Sequence, residues 1–150
     1  GPFPTELDDE TGETIRNKGG EFGTTTGRPI RTGWFDAVIV RHSVRVNGLS
    51  SLAINKLDTL GGIGDLKVCV AYKKPDGTVI ENFPATLEEL ADCVPVYETL
   101  KGFDDDISSC RSFDELPEAC KKYIERLEEL CDCHISMVGV GPDREQIIER

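Results

Sequence analysis

Apolar positions along the chain fall into two periodicities. After Pro117, the residues Cys120, Tyr123, Ile124, Leu127, Leu130 and Cys131 recur every three or four positions. That spacing predicts an amphipathic helix with Pro117 at its first position and Lys121 set to meet Glu125. Shorter apolar runs at Ser51–Asn55, Leu66–Tyr72, Val94–Thr99 and Ile135–Val140 predict buried strands. A hairpin-like turn over 73–78 leads into Val79-Ile80. Residues 34–46 carry Phe35, Val38, Ile39, Val40 and Val44, a pattern open to helix or strand; the helix is favoured, broken by Asn47-Gly48. Thr86–Leu90 reads as a short helix with Glu88 and Glu89 at its positive end. The segment 61–64 reads as a turn or short helical step, 141–144 as a turn, and the acidic stretch Gly102–Ser112 as solvated loop. Together these elements predict an α/β fold, a mixed sheet with packed helices, without fixing strand order.

Between Gly19 and Gly33 the periodicity stops. Glycines at 20, 23, 27 and 33 permit tight turns, and Thr24, Thr25 and Thr26 supply hydroxyl and amide donors. Phe22 and Trp34-Phe35 bracket the segment and suit anchors in a core, so it reads as a ligand loop rather than a linker. Residues 1–16 read as an extended lead-in, and the partly apolar start as the border of a fragment.

The 150 residues suffice for one domain with its own core. A net charge of −11 argues against unguided binding to nucleic acid or anionic membrane, although Arg28, Arg31, Arg41 and Arg45 make the first third less acidic. No apolar run reaches the roughly twenty residues of a membrane span, and no leader pattern opens the chain, so a soluble, cytoplasmic protein is expected. The six cysteines show no paired spacing and read as reduced, mostly buried thiols. Cys131-Asp132-Cys133-His134 is spaced too tightly for a usual structural zinc site. His42 and His134 read as packing or surface residues, and Asp36 and Asp143 as supports of turns; no catalytic residue and no metal ligand is assigned.

Asn55-Lys56-Leu57-Asp58, at the end of an apolar strand, carries the most specific chemistry. A carboxylate at Asp58 can accept from both N1–H and the exocyclic amine of guanine, donors that adenine does not present together. A buried acceptor left unpaired by the wrong base is costly, which makes such a site selective. Lys56 can lay its methylene stem along the base with its ammonium in water, while Asn55 ties neighbouring loops together. The plain alternative is a surface turn after a buried strand.

Several separated segments share a family resemblance: Gly1-Pro2-Phe3-Pro4-Thr5-Glu6-Leu7, the run 21–29, Gly33-Trp34-Phe35-Asp36, Lys56-Leu57-Asp58, Pro95-Val96-Tyr97-Glu98-Thr99 and Val140-Gly141-Pro142-Asp143-Arg144. In that order they resemble the carboxy-terminal third of the adenylosuccinate synthetases. The resemblance implies part of a GTP-dependent ligase that joins IMP and L-aspartate, giving adenylosuccinate, GDP and phosphate. The same resemblance implies GTP as co-substrate and Mg2+ for the complete enzyme, held by ligands outside this fragment. It also implies a homodimer when complete. By the same resemblance, Lys56 and Asp58 match the guanine-reading pair, and Gly139, Gly141 and Pro142 the backbone on the other side of the base. Thr24, Thr25, Thr26, Gly27 and Arg28 match an aspartate-binding loop, with Arg28 reaching the IMP ribose as well. The family places a further arginine where this chain has Ile30, so either Arg31 reaches around or nucleotide affinity leans on other contacts, a weakened direct contact being favoured. No phosphate-binding glycine loop is present, and the family's catalytic aspartate and histidine belong to an amino-terminal region. The isolated fragment is therefore expected to be inactive. A GTPase-like switch or a non-catalytic guanine-nucleotide-binding or interaction fragment are the alternative readings.

Overall fold

The computed structural model describes residues 2–7, 9–19 and 33–150. These form helices α1 (Glu10–Gly19), α2 (Ala37–Asn47), α3 (Leu87–Ala91) and α4 (Glu118–Cys131). The strands are β1 (Phe35–Asp36), β2 (Ser51–Ile54), β3 (Leu66–Lys73), β4 (Val79–Ile80), β5 (Val94–Leu100), β6 (His134–Gly139) and β7 (Ile147–Glu149). Short 3-10 helices occupy Leu57–Leu60 and Phe113–Glu115.

Two mixed sheets result. In the first, β5 runs antiparallel along one edge of β3, while parallel β1 and antiparallel β4 share the other edge. In the second, β2 lies parallel to β6, and β7 pairs antiparallel with β6. One core joins them. Leu66 and Val68 of β3, Ile124 and Leu127 of α4, and Ile135 and Val138 of β6 are all fully buried in it. A second cluster holds Val38, Cys69, Tyr72, Leu90 and Cys93. Cys69 and Tyr72 are three residues apart on one strand, an odd spacing that alternation forbids; the register break against β5 between Cys69 and Ala71 supplies the extra residue.

The helices end where local chemistry stops them. The Asp36 carboxylate accepts from the amides of Val38 (3.0 Å) and Ile39 (3.2 Å) and opens α2, as expected of a turn-supporting residue. Gly48, at φ +62°, closes it, so the break at Asn47-Gly48 is where the sequence puts it. Thr86 caps α3 through the Glu89 amide at 3.1 Å. The Arg126 guanidinium grips the Glu98 carboxylate with two bonds of 2.7 and 2.8 Å, fastening α4 to β5.

Several expectations need correction. The lead-in over 1–16 is not extended throughout: α1 begins at Glu10, because the Asp9 carboxylate accepts from the Gly12 amide at 2.9 Å. Acidic Glu10 and Glu13 sit in its first turn and basic Arg16 and Lys18 in its last, matching the helix dipole. Residues 34–36 precede the helix, since Phe35 and Asp36 pair with Val68 and Cys69. Strand β2 is half-exposed rather than buried: it pairs on one edge with β6, Leu52 and Ile54 pack inward, and Ser51 and Ala53 face out. Pro117 caps α4 from outside instead of occupying its first position. The acidic stretch after Gly102 is not simply solvated, because Phe103, Ile107 and Cys110 are core residues while Asp104, Asp105 and Asp106 stay exposed. Strand β7 was not expected; two apolar residues, Ile147-Ile148, carry it.

The two-bonded grip of Arg126 holds the Glu98 carboxyl below its ordinary value of 4.5, against the opposing effect of burial. Its stabilisation is complete above that ordinary value and is lost as pH falls through the depressed one. Both side chains are about one-third exposed, so solvent screens the pair. Arg126→Met should lower unfolding free energy by up to about 1 kcal/mol at pH 7. In urea titrations the gap from wild type should close as pH falls below the ordinary carboxylate value and through the depressed one; a gap independent of pH would show that packing, not the ion pair, matters.

Candidate functional site

Parallel strands β2 and β6 end on the same edge of their sheet, where α/β proteins place ligands. From that edge emerge Asn55-Lys56-Leu57-Asp58 and Val140-Gly141-Pro142-Asp143-Arg144. Asn55, Lys56, Gly139, Gly141, Pro142, Asp143, Arg144 and Ile147 line one pocket of about 270 Å³. Four of the five expected guanine-site residues therefore meet around a single cavity. Asp58, the fifth, is not among its lining residues and lies two positions further along the same turn.

The local geometry of this turn is constrained at each residue. Lys56 adopts φ +58° and ψ +39°, the left-handed region, which costs a non-glycine residue about 1–2 kcal/mol. Leu57, fully buried, roots the turn in the core. The buried Thr59 donates twice to the Lys56 carbonyl, from its amide at 3.1 Å and its hydroxyl at 2.8 Å. The Asp58 carbonyl accepts from the Gly61 amide at 3.2 Å, and Gly62 donates to the Phe103 carbonyl at 2.8 Å. Lys18, at the end of α1, donates its ammonium to the Gly61 carbonyl, tying the helix before the threonine-rich segment to the base of the turn.

One atom in the turn is left over. Oδ1 of Asp58 is buried and has no hydrogen-bond partner, and it is the one such side-chain oxygen or nitrogen among the described residues. Buried acceptors are normally paired, so this oxygen is a polar group that the fold of the turn itself leaves unsatisfied. Opposite the turn, a Cβ added at Gly139 would sit 3.3 Å from the Lys56 nitrogen and 3.4 Å from the Asn55 Cα. Glycine there lets β6 press against the backbone of the Asn-Lys-x-Asp segment.

The other expected sites fall differently. Thr24, Thr25, Thr26, Gly27 and Arg28, with Ile30 and Arg31, lie outside the described residues. The segment after them begins at a fixed point: Gly33 bridges Glu6, Trp34 donates to the buried Thr5 carbonyl at 3.2 Å, and Trp34 and Phe35 pack against the core. Asp36, besides capping α2, accepts from the Tyr72 hydroxyl at 2.5 Å. Burial raises its carboxyl above the usual carboxylate value, opposed by the bonds from Tyr72, Ile39 and Val38. His42 is exposed and stacks on Phe83 with ring centroids 4.8 Å apart. His134 is exposed beside Glu128, its Nδ1 at 3.2 Å from that carboxylate. Five of the six cysteines are buried; burial pushes Cys69, Cys120 and Cys131 each up to about 12, leaving them protonated core residues at neutral pH. Among the described residues no three His, Cys, Asp or Glu side chains converge to hold a metal ion. No helix among them is long and apolar enough to cross a membrane.

Of the other residues lining this pocket, Asp143 and Arg144 were named in the sequence only within a turn and a family-like segment, and Ile147 carried no signal, because its place depends on where the chain folds back.

The sequence model of the family described as adenylosuccinate synthetase matches residues 1–148. The chain belongs to the adenylosuccinate synthetase family. The adenylosuccinate synthetase of Clostridium botulinum strain Eklund 17B is 59% identical over 148 residues, covering 99% of this chain and 34% of that protein. That of Heliobacterium modesticaldum is 56% identical over 149 residues, covering 99% of this chain and 35% of the relative. Among solved structures, fully ligated adenylosuccinate synthetase from Plasmodium falciparum superposes with a TM-score of 0.95 at 40% identity. That match covers 100% of this chain and 36% of the other. The chain thus spans about one-third of the length of the synthetases it matches.

The close approach at Gly139 gives a direct test of the site's construction. Gly139→Ala should push the Lys56 backbone by a few tenths of an ångström and cost about 1–3 kcal/mol, as overpacking does. Amide exchange at Lys56 and Thr59 should accelerate more than in the core of α4; uniform acceleration would mean that the glycine serves the sheet rather than the turn.

Proposed function

We propose that this chain is the guanine-reading, carboxy-terminal portion of a ligase that joins IMP to L-aspartate with hydrolysis of GTP. The observation that carries the reading is the buried, unpartnered Oδ1 of Asp58 on the strand edge shared with Gly139, Gly141 and Pro142. N1–H and the exocyclic amine of guanine would satisfy the Asp58 carboxylate. The stem of Lys56 would lie along one face of the base, and the Gly139–Pro142 backbone would close the other side. Adenine would leave the carboxylate unpaired, which penalises ATP more than any lost contact does. Family membership supports this assignment of the pocket.

In the complete enzyme, GTP would phosphorylate the 6-oxygen of IMP, and the aspartate amine would then displace phosphate. An amide-like oxygen leaves poorly, whereas its phosphorylated form departs as a stabilised anion. This portion contributes binding and orientation. Thr24, Thr25, Thr26 and Gly27 would hold the aspartate carboxylates with hydroxyl and amide donors, and Arg28 would fork between aspartate and the IMP ribose. Mg2+ would act through ligands elsewhere in the complete protein. A cytoplasmic homodimer is the matching assembly, and the isolated chain should be inert.

The complete enzyme tests the proposal. Asp58→Asn should lower kcat/KM for GTP by about a hundredfold or more, the scale set by an unpaired polar group in a base site. KM for IMP and for aspartate should move little. An unchanged kcat/KM for GTP would remove Asp58 from base recognition, and adenylosuccinate formed by the isolated 150-residue chain would refute the claim that it is only a part.

A further inference from the structure

We infer that Gln146 is a positioning residue for the nucleotide: its amide fixes the strap of residues 139–143 that closes the base pocket. The inference rests on reading that pocket as the guanine site. Four hydrogen bonds converge on this residue. Its backbone carbonyl accepts from the Val140 amide at 2.8 Å, and its backbone amide donates to the Asp143 carbonyl at 3.0 Å. Its side-chain Oε1 accepts from the Asp143 amide at 3.0 Å, and its Nε2 donates to the Ser108 carbonyl at 3.1 Å. The Ser108 carbonyl also accepts from Nη1 of Arg111 at 2.8 Å, so the far end of the bridge is itself held.

The amide orientation is dictated by its partners. A backbone N–H can only donate and a carbonyl can only accept, so one end of the side chain must accept while the other donates. Glutamine does both at this length. Glutamate, nearly identical in shape, retains an acceptor for Asp143 but loses the donor to Ser108, and asparagine is one methylene short. The strap also needs Gly141. A Cβ there would lie 2.3 Å from the Gln146 amide atoms, so any side chain at 141 must displace an amide already bonded at both ends. Gly141 and Gln146 are therefore two halves of one device: the glycine leaves the space that the amide occupies, and the amide sets where Pro142 and Asp143 stand beside Lys56.

The test uses the complete enzyme and steady-state kinetics in all three substrates, with Asp58→Asn as the reference for the base site. Gln146→Glu should raise KM for GTP about threefold to tenfold, the range that one net hydrogen bond carries. Changes in kcat and in KM for IMP and aspartate should stay within about twofold on the same reasoning. Gly141→Ala and Gln146→Ala should each raise KM for GTP similarly, and the double variant Gln146→Ala/Gly141→Ala should be no worse than the poorer of those two singles, since both act on the same amide. If Asp58→Asn raises KM for GTP but Gln146→Glu does not, the inference fails and the base site stands. If Asp58→Asn has no effect, the base site fails and the inference with it. Equal changes in all three KM values, or additive effects in the double variant, would reduce Gln146 to a residue of general stability.

Discussion

The parallel pairing of β2 with β6 is the constraint on which the proposed base site depends. Ser51 lies opposite His134, Leu52 opposite Ile135 and Ile54 opposite Val138, so both strands release their loops at one edge. An antiparallel partner would have sent one loop to the far end of the sheet. Ile135 and Val138 are fully buried, and with Leu57 just past β2 they fix this register through the core. Gly139 then removes the last side chain that would hold the two backbones apart.

Within that frame the turn after β2 accepts two local penalties. Lys56 takes a left-handed conformation, and Asp58 keeps a buried oxygen without a donor. Both would relax in an ordinary surface turn. They persist because Leu57 is buried, Thr59 holds the Lys56 carbonyl twice, and Gly61 is fastened from α1 by Lys18. Strain concentrated beside an unpartnered carboxylate oxygen is what the proposed base site would require, and it costs stability in the turn itself. In the stretch after Gly102 charge is kept out of the core: the carboxylates of Asp104, Asp105 and Asp106 stand in solvent while Phe103 and Ile107 go inward.

Much of this was legible in the sequence where periodicity and side-chain chemistry agree. The face of α4 from Cys120 to Cys131, strand β3 and the break at Gly48 all follow from spacing or from glycine, and the turn after β2 falls where Asn-Lys-x-Asp ends the apolar run. Helix α1 was missed because its cap, Asp9, precedes a polar segment with few apolar positions; its acidic start and basic end were the remaining signal. The acidic stretch after Gly102 misled because three aspartates in a row outweigh Phe103 and Ile107 in composition, although the two apolar residues decide where the backbone goes. Strand β7 and the bridge from Gln146 depend on a chain reversal that local sequence does not specify.

The central claim is that Asp58 reads guanine through two donors, and titration calorimetry with three nucleoside diphosphates tests it most directly. In the complete enzyme, GDP should bind most tightly. Inosine diphosphate, which keeps N1–H but lacks the exocyclic amine, should bind about tenfold or more weaker, and ADP weaker still, as expected when a buried charged acceptor loses first one and then both donors. Asp58→Asn should collapse that order. Equal affinities for GDP and ADP in the unaltered enzyme would contradict the account.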